Sequence, residues 1–103
     1  MHHLRATLLE GREAVVWGCG PVGKAFGRAL LRDGVGLVAF VDVDPRKIGR
    51  EVYGVPVVSV EEAPRFRDAF VLGAVAGEEA RALVRETAAA QGRREAVDFV
   101  AVA

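Results

Sequence analysis

Six residues, Gly18-Cys19-Gly20-Pro21-Val22-Gly23, have the types and the spacing to cradle a pyrophosphate. In such a turn the first glycine permits a sharp reversal at positive φ. The second lets the backbone approach the phosphates, and the third brings helix and strand together. The bare pattern is common, and its context gives it meaning. A strand-like run, Ala14-Val15-Val16-Trp17, precedes it, an amphipathic stretch follows, and Leu37-Val38-Ala39-Phe40-Val41 leads into Asp42. An acid closing the second strand roughly 20 residues on is what a dinucleotide site uses to accept from ribose hydroxyls. The same carboxylate disfavours a 2′-phosphate, so NAD is expected over NADP. The helix N-terminus behind the turn adds free N–H groups and a partial positive charge. Pro21 removes one donor and leaves those of Cys19, Gly20, Val22 and Gly23.

Neighbouring chemistries fit less well. Gly18 to Ala25 falls one residue short of a P-loop, because Ala25 stands where a Ser or Thr would hold magnesium. Triphosphate hydrolysis is therefore not expected. Cys19 sits where a helix N-terminus lowers a thiol pKa, but a small residue filling a slot is the plainer reading. Lys24 reads as a solvated helix residue, and Asp44 as the start of a turn with Pro45. The pair His2-His3 lacks partner ligands at metal-binding spacing, so no metal is expected. No histidine lies near the turn, Tyr53 is the single tyrosine, and neither lysine has an acid–base partner in sequence. Hydride transfer needs a proton donor and a substrate pocket, usually from a second domain. Binding without chemistry of its own is the expectation.

The elements that position these residues follow from periodicity. After a lead-in over 1–12, with a helical turn around Leu4, Leu8 and Leu9, one domain is expected over 13–103. Strand one is predicted over about 14–18 and helix one over 21–33, with Val22, Ala25, Phe26, Ala29 and Leu30 on one face. Strand two, about 36–42, is apolar throughout, as suits a parallel strand covered on both sides. A short third strand within 52–58 carries Gly54 and Pro56, which mark an edge. Glu61 to Ala63 start a short helix that Pro64 curtails. Strand four covers 69–73, a second helix about 78–91, and strand five 98–102. Alternating strands and helices give an α/β fold of three layers, a parallel sheet of about five strands in the order 3-2-1-4-5 with helices on both faces. Ligands then bind at the carboxyl ends beside strand one. Gly18–Gly23, Asp42 and the loop Gly73-Ala74-Val75-Ala76-Gly77 meet there, with Gly73, Ala74 and Val75 nearest.

Bulk composition narrows the class. Fourteen basic and fourteen acidic residues leave no net charge, which predicts no nucleic-acid partner. One cysteine excludes an internal disulfide and suits a reducing cytoplasm. No apolar run reaches the roughly 18 residues a membrane span needs. Pairing through a sheet edge or helix face would make a homodimer.

The segments Val16 to Lys24, Ala39 to Gly49 and Gly54-Val55-Pro56-Val57 resemble a small Rossmann-like domain at the C-terminus of some bacterial family 2 glycosyltransferases. The end, Gly92 to Ala103, is similar to how those domains finish. The run Asp42-Val43-Asp44-Pro45-Arg46-Lys47-Ile48-Gly49 also looks like the NAD-binding core of redox-sensing repressors. It is similar as well to CoA-binding domains of succinyl-CoA synthetase-like proteins and to sugar-nucleotide-modifying enzymes. The resemblance implies a nucleotide ligand (NAD, CoA or a sugar nucleotide) held on behalf of a fused or associated glycosyltransferase or sugar-nucleotide enzyme. Two alternatives stand beside it: a fragment of an NAD-dependent oxidoreductase, and an interaction domain that has kept the fold and lost the ligand.

Overall fold

Every residue of Ala14–Trp17 is buried, which requires a strand with neighbours on both edges and cover on both faces. The computed structural model, which describes residues 11–101, places this strand, β1, at the centre of the sheet. The lead-in turn around Leu4, Leu8 and Leu9 and the His2-His3 pair lie outside the described residues.

From β1 the chain passes through α1 (Pro21–Arg32) to β2 (Leu37–Val41), then β3 (Glu51–Val52) and β4 (Val55–Val58). A 3-10 helix (Val60–Phe66) leads to β5 (Phe70–Gly73), α2 (Glu78–Ala90) and β6 (Phe99–Ala101). The sheet order is β3-β4-β2-β1-β5-β6, parallel except for the β3–β4 hairpin at one edge. The expected order is present, with a sixth strand where about five were predicted. The extra strand comes from Tyr53 and Gly54, both at positive φ (56° and 75°), which reverse the chain inside what reads as one strand. The 3-10 helix is also longer than expected. Pro64 lies inside it rather than ending it. A capping box on Ser59 and Glu62 starts it.

Two apolar layers flank the sheet. Ala14, Val16, Phe40, Phe70 and Leu72 face α1, while Val15, Trp17, Val41, Val71 and Phe99 face α2 and the 3-10 helix. Helix α1 does not bury the face its apolar residues trace. Its buried positions are Gly23, Gly27 and Leu30, with Phe26 half covered, whereas Val22 is exposed. The glycines win because they let the helix backbone approach the sheet. A Cβ on Gly27 would stand 2.6 Å from Cζ of Phe40.

The end of the sheet away from the glycine turn is fastened by arginines. Arg93, buried, donates to the carbonyls of Ala63, Phe66 and Ala69 at 3.0–3.2 Å. Burial pushes its pKa down from the usual guanidinium value, with Asp98 opposing. Arg12 reaches the carbonyls of Asp68, Ala69 and Val97 and lies over the Phe70 ring. Arg93→Met removes a buried donor from three carbonyls, of which that of Ala69 keeps Arg12, and is expected to cost ~3 kcal/mol of folding free energy. Urea denaturation of the purified protein measures it.

Candidate functional site

At the carboxyl end of the sheet four strand ends are tied across their tips by three bonds. Gly18 donates to the Val41 carbonyl at 2.7 Å, Ala74 to the Trp17 carbonyl at 2.8 Å, and Asp42 to the Val58 carbonyl at 3.1 Å. The chain leaves β1 towards β2 and returns on its other side in β5, so the crevice opens between them.

The glycine turn is built by contact. Gly18 has φ +117°, and a Cβ there would stand 2.6 Å from the Ala74 carbonyl oxygen and 2.9 Å from Cγ1 of Val75. A Cβ on Gly23 would fall on the Gly18 carbonyl, so helix and turn touch backbone to backbone. Gly20 differs from both. Its φ of −87° suits any residue, and nothing lies within 4 Å of the place its Cβ would occupy. As the N-cap of α1 it stands at the helix's positive end, followed by Pro21 at the first helical position.

Asp42 is turned onto this turn. Its Oδ2 accepts from the Cys19 N–H at 2.8 Å and its Oδ1 from the Asp44 N–H at 2.9 Å, leaving the side chain 12% exposed. The Cys19 N–H is therefore engaged inside the protein, which corrects its expected part as a phosphate donor. Asp44 in turn accepts from the backbone and guanidinium of Arg46, as its turn-forming reading requires, and these bonds hold its carboxyl below the usual range. One helical turn over 44–48 then folds Lys47 back over the crevice. Its Nζ donates to the Cys19 carbonyl at 3.1 Å and stands 3.9 Å from Asp42 Oδ2. Lys47 is not among the site residues that the sequence marks out. The signal was its spacing: one helical turn after Asp44 returns a side chain to the strand end it left.

A cavity of about 550 Å³ runs from the turn along the α2 side of the sheet. That is a size typical of small-ligand pockets. Gly18, Cys19, Gly20, Pro21, Val22, Asp42, Ala74 and Val75 line it; Gly23 and Gly73 do not, and pack instead against Gly18 and Val84. The remaining wall is mostly apolar. Val43 and Leu83, 74% and 61% exposed, stand at it, and Lys47, Glu61 and Thr87 supply polar groups beside Asp42. No cluster able to hold a metal ion occurs among the described residues, and no helix among them is long and apolar enough to cross a membrane.

Cys19 is buried within this wall, and burial pushes its thiol pKa up despite the nearby Lys24 and Lys47. The thiol fills space, as the plainer reading held. Iodoacetamide at pH 8 is expected to leave Cys19 unmodified in the folded protein and to alkylate it in urea, as intact mass will show. The glycines give a second test. Gly23→Ala is expected to lose at least about 3 kcal/mol of stability, and Gly20→Ala to stay within about 0.5 kcal/mol of the parent, by thermal and chemical denaturation.

Comparison with known proteins gives concordant findings. The family model described as "CoA binding domain" matches residues 10–98. No curated protein sequence matches the chain. Among solved structures, the Rex-family repressor RSP is similar at a TM-score of 0.72 and 18% identity, over 98% of this chain and 58% of that one. UDP-D-quinovosamine 4-dehydrogenase from Vibrio fischeri is similar at 0.71 and 19%, over 89% of this chain and 78% of that one. At these identities the likeness establishes a Rossmann-like fold, and this chain spans little more than half the repressor's length. RSP has been solved with β-NADH, and with β-NAD+ and operator DNA, the latter similar at a TM-score of 0.67 and 17% identity over 88% of this chain and 49% of that one. That complex overturns the expectation of no nucleic-acid partner. A repressor holding operator DNA contains a domain of this same fold, so a neutral charge balance in such a domain does not exclude the partner.

Proposed function

This chain belongs to the CoA binding domain family, and from that premise we propose that its crevice holds an adenine nucleotide with a pyrophosphate, CoA or NAD. Gly20 is the observation that carries the reading. The fold needs glycine at 18 and 23 for contact, but at 20 neither backbone angle nor space demands it. A phosphate approaching the helix N-terminus does, because a side chain at 20 would project into the open space over the turn. The N–H groups of Gly20 and Val22, which line the cavity, are the donors proposed for it. Asp42, oriented by its bonds to Cys19 and Asp44, is the acceptor proposed for the ribose hydroxyls. Ala74 and Val75 bound the far side, and the apolar wall suits a base or a pantetheine chain.

In this reading the domain supplies a binding site. Service to a glycosyltransferase or sugar-nucleotide enzyme rests on the resemblance of the quoted segments, and the coding sequence on either side tests it. The binding itself is tested by calorimetric titration with CoA, dephospho-CoA, NAD and NADH. Saturable binding of at least one is expected, weakened at least about tenfold in Gly20→Val with no change in melting temperature. Absence of saturation at millimolar ligand would overturn the proposal.

A further inference from the structure

Connection handedness covers only part of this sheet. A right-handed crossover from β1 to β2 puts α1 on one face. The crossovers into β5 and then β6 run the other way across the sheet, so the 3-10 helix and α2 lie on the opposite face. A helix about 10 Å wide covers two strands spaced about 4.8 Å apart, and α1 lies over β1 and β2. One flank of α1 reaches the β3–β4 hairpin, where Arg28 donates to the Tyr53 hydroxyl. Phe26 and Ala29, both half-buried, stand on the other flank and turn towards β5. Among the described residues no second helix lies on the α1 side of the sheet.

The side chains of β5 on that side are covered nonetheless. Phe70 and Leu72 have no exposed surface, and Val100 of β6, packed beside them, is half-buried. Arg12 accounts for one edge of the patch, its guanidinium 5.6 Å from the centre of the Phe70 ring. From there it donates to the carbonyls of Asp68, Ala69 and Val97, so the residue that leads into β1 stands over the start of β5. Gly11, at φ +80°, turns the chain at this point. Ten residues precede Gly11, and Leu4, Leu8 and Leu9 among them fall at i, i+4 and i+5. Ten helical residues measure about 15 Å and a four-residue strand such as β5 about 13 Å.

We infer that residues 1–10 are the cover. They lie as a short helix along β5 and β6 beside α1, with Leu4, Leu8 and Leu9 set on Phe70, Leu72 and Val100 and against Phe26 and Ala29. The occupant of this groove is the chain's own N-terminal segment, held in cis. The crossovers into β5 and β6 cannot supply the cover, since only a left-handed connection would run on that face. The groove is separate from the crevice, and the segment precedes all but one residue of the stretch that the family model matches, 10–98.

Paramagnetic relaxation locates the segment in the full chain. A nitroxide is attached at Ala6→Cys in a Cys19→Ala background, and amide signals are compared with the label oxidised and reduced. Broadening should concentrate on β5, β6 and the Phe26–Ala29 flank of α1, and should spare the β3–β4 hairpin. A mixture of nitroxide-bearing chains with isotope-labelled chains that carry no nitroxide should show no broadening. Leu8→Ser should lower the melting temperature by about 10 °C, and Ala6→Ser should leave it within about 2 °C of the parent. The nitroxide measurement changes no leucine, so it reads the segment's position whether or not Leu8→Ser folds. Broadening that is absent from β5 and β6, or spread evenly over the surface, overturns the inference. Broadening in the mixture overturns it too and makes a second copy the occupant. An unchanged melting temperature in Leu8→Ser also overturns it.

Discussion

The contact between Gly23 and the carbonyl of Gly18 governs the rest of the molecule. No side chain fits between them, so α1 lies against the end of β1 at backbone distance. Gly27 repeats the approach one turn later against the Phe40 ring, and Leu30 closes the seam. That stripe fixes the angle of α1 on the sheet, and the angle decides where its first turn points. Packing and function are thus served by one contact: the interface that buries the helix also aims its N–H groups and dipole at the crevice.

Around that turn the protein satisfies part of its own polarity. Asp42 takes the Cys19 N–H, Lys47 takes the Cys19 carbonyl, and Asp44 donates its backbone N–H to Asp42. The turn is therefore held on both of its peptide faces before any ligand arrives. A site ordered in advance spends less of its binding energy on ordering itself. The amides of Gly20 and Val22 at the start of α1 take no part in those bonds.

The parts of this arrangement legible in the sequence are those set by local rules. The glycine spacing, the buried strands, the acid at the end of β2 and the strand order follow from pattern and connection handedness. What escaped depends on partners distant in sequence. Gly23 and Gly27 define the buried face of α1 because of the β1 end and Phe40, whereas the helix's own apolar residues suggest a face centred elsewhere. Tyr53 at positive φ hides a chain reversal, since a tyrosine seldom marks one, and it is braced there by Arg28. Arg93 looks like one more surface arginine until three carbonyls, two from the 3-10 helix and one from Ala69 just before β5, converge on it. The neutral composition misled for a related reason: net charge describes a whole chain, whereas recognition depends on where charges stand.

The placement of β1 has a consequence for how the chain is made. Its two neighbours come from very different distances along the sequence: β2 begins at Leu37, while β5 begins at Phe70. During synthesis from the N-terminus, β1, α1, β2 and β4 can assemble while β5 is still inside the ribosome. For that interval the central strand presents a bare row of amides and carbonyls on one side. With residues added at about 5–20 per second, the interval lasts a few seconds. The strand that ends as the best protected in the fold is, during birth, its most adhesive edge.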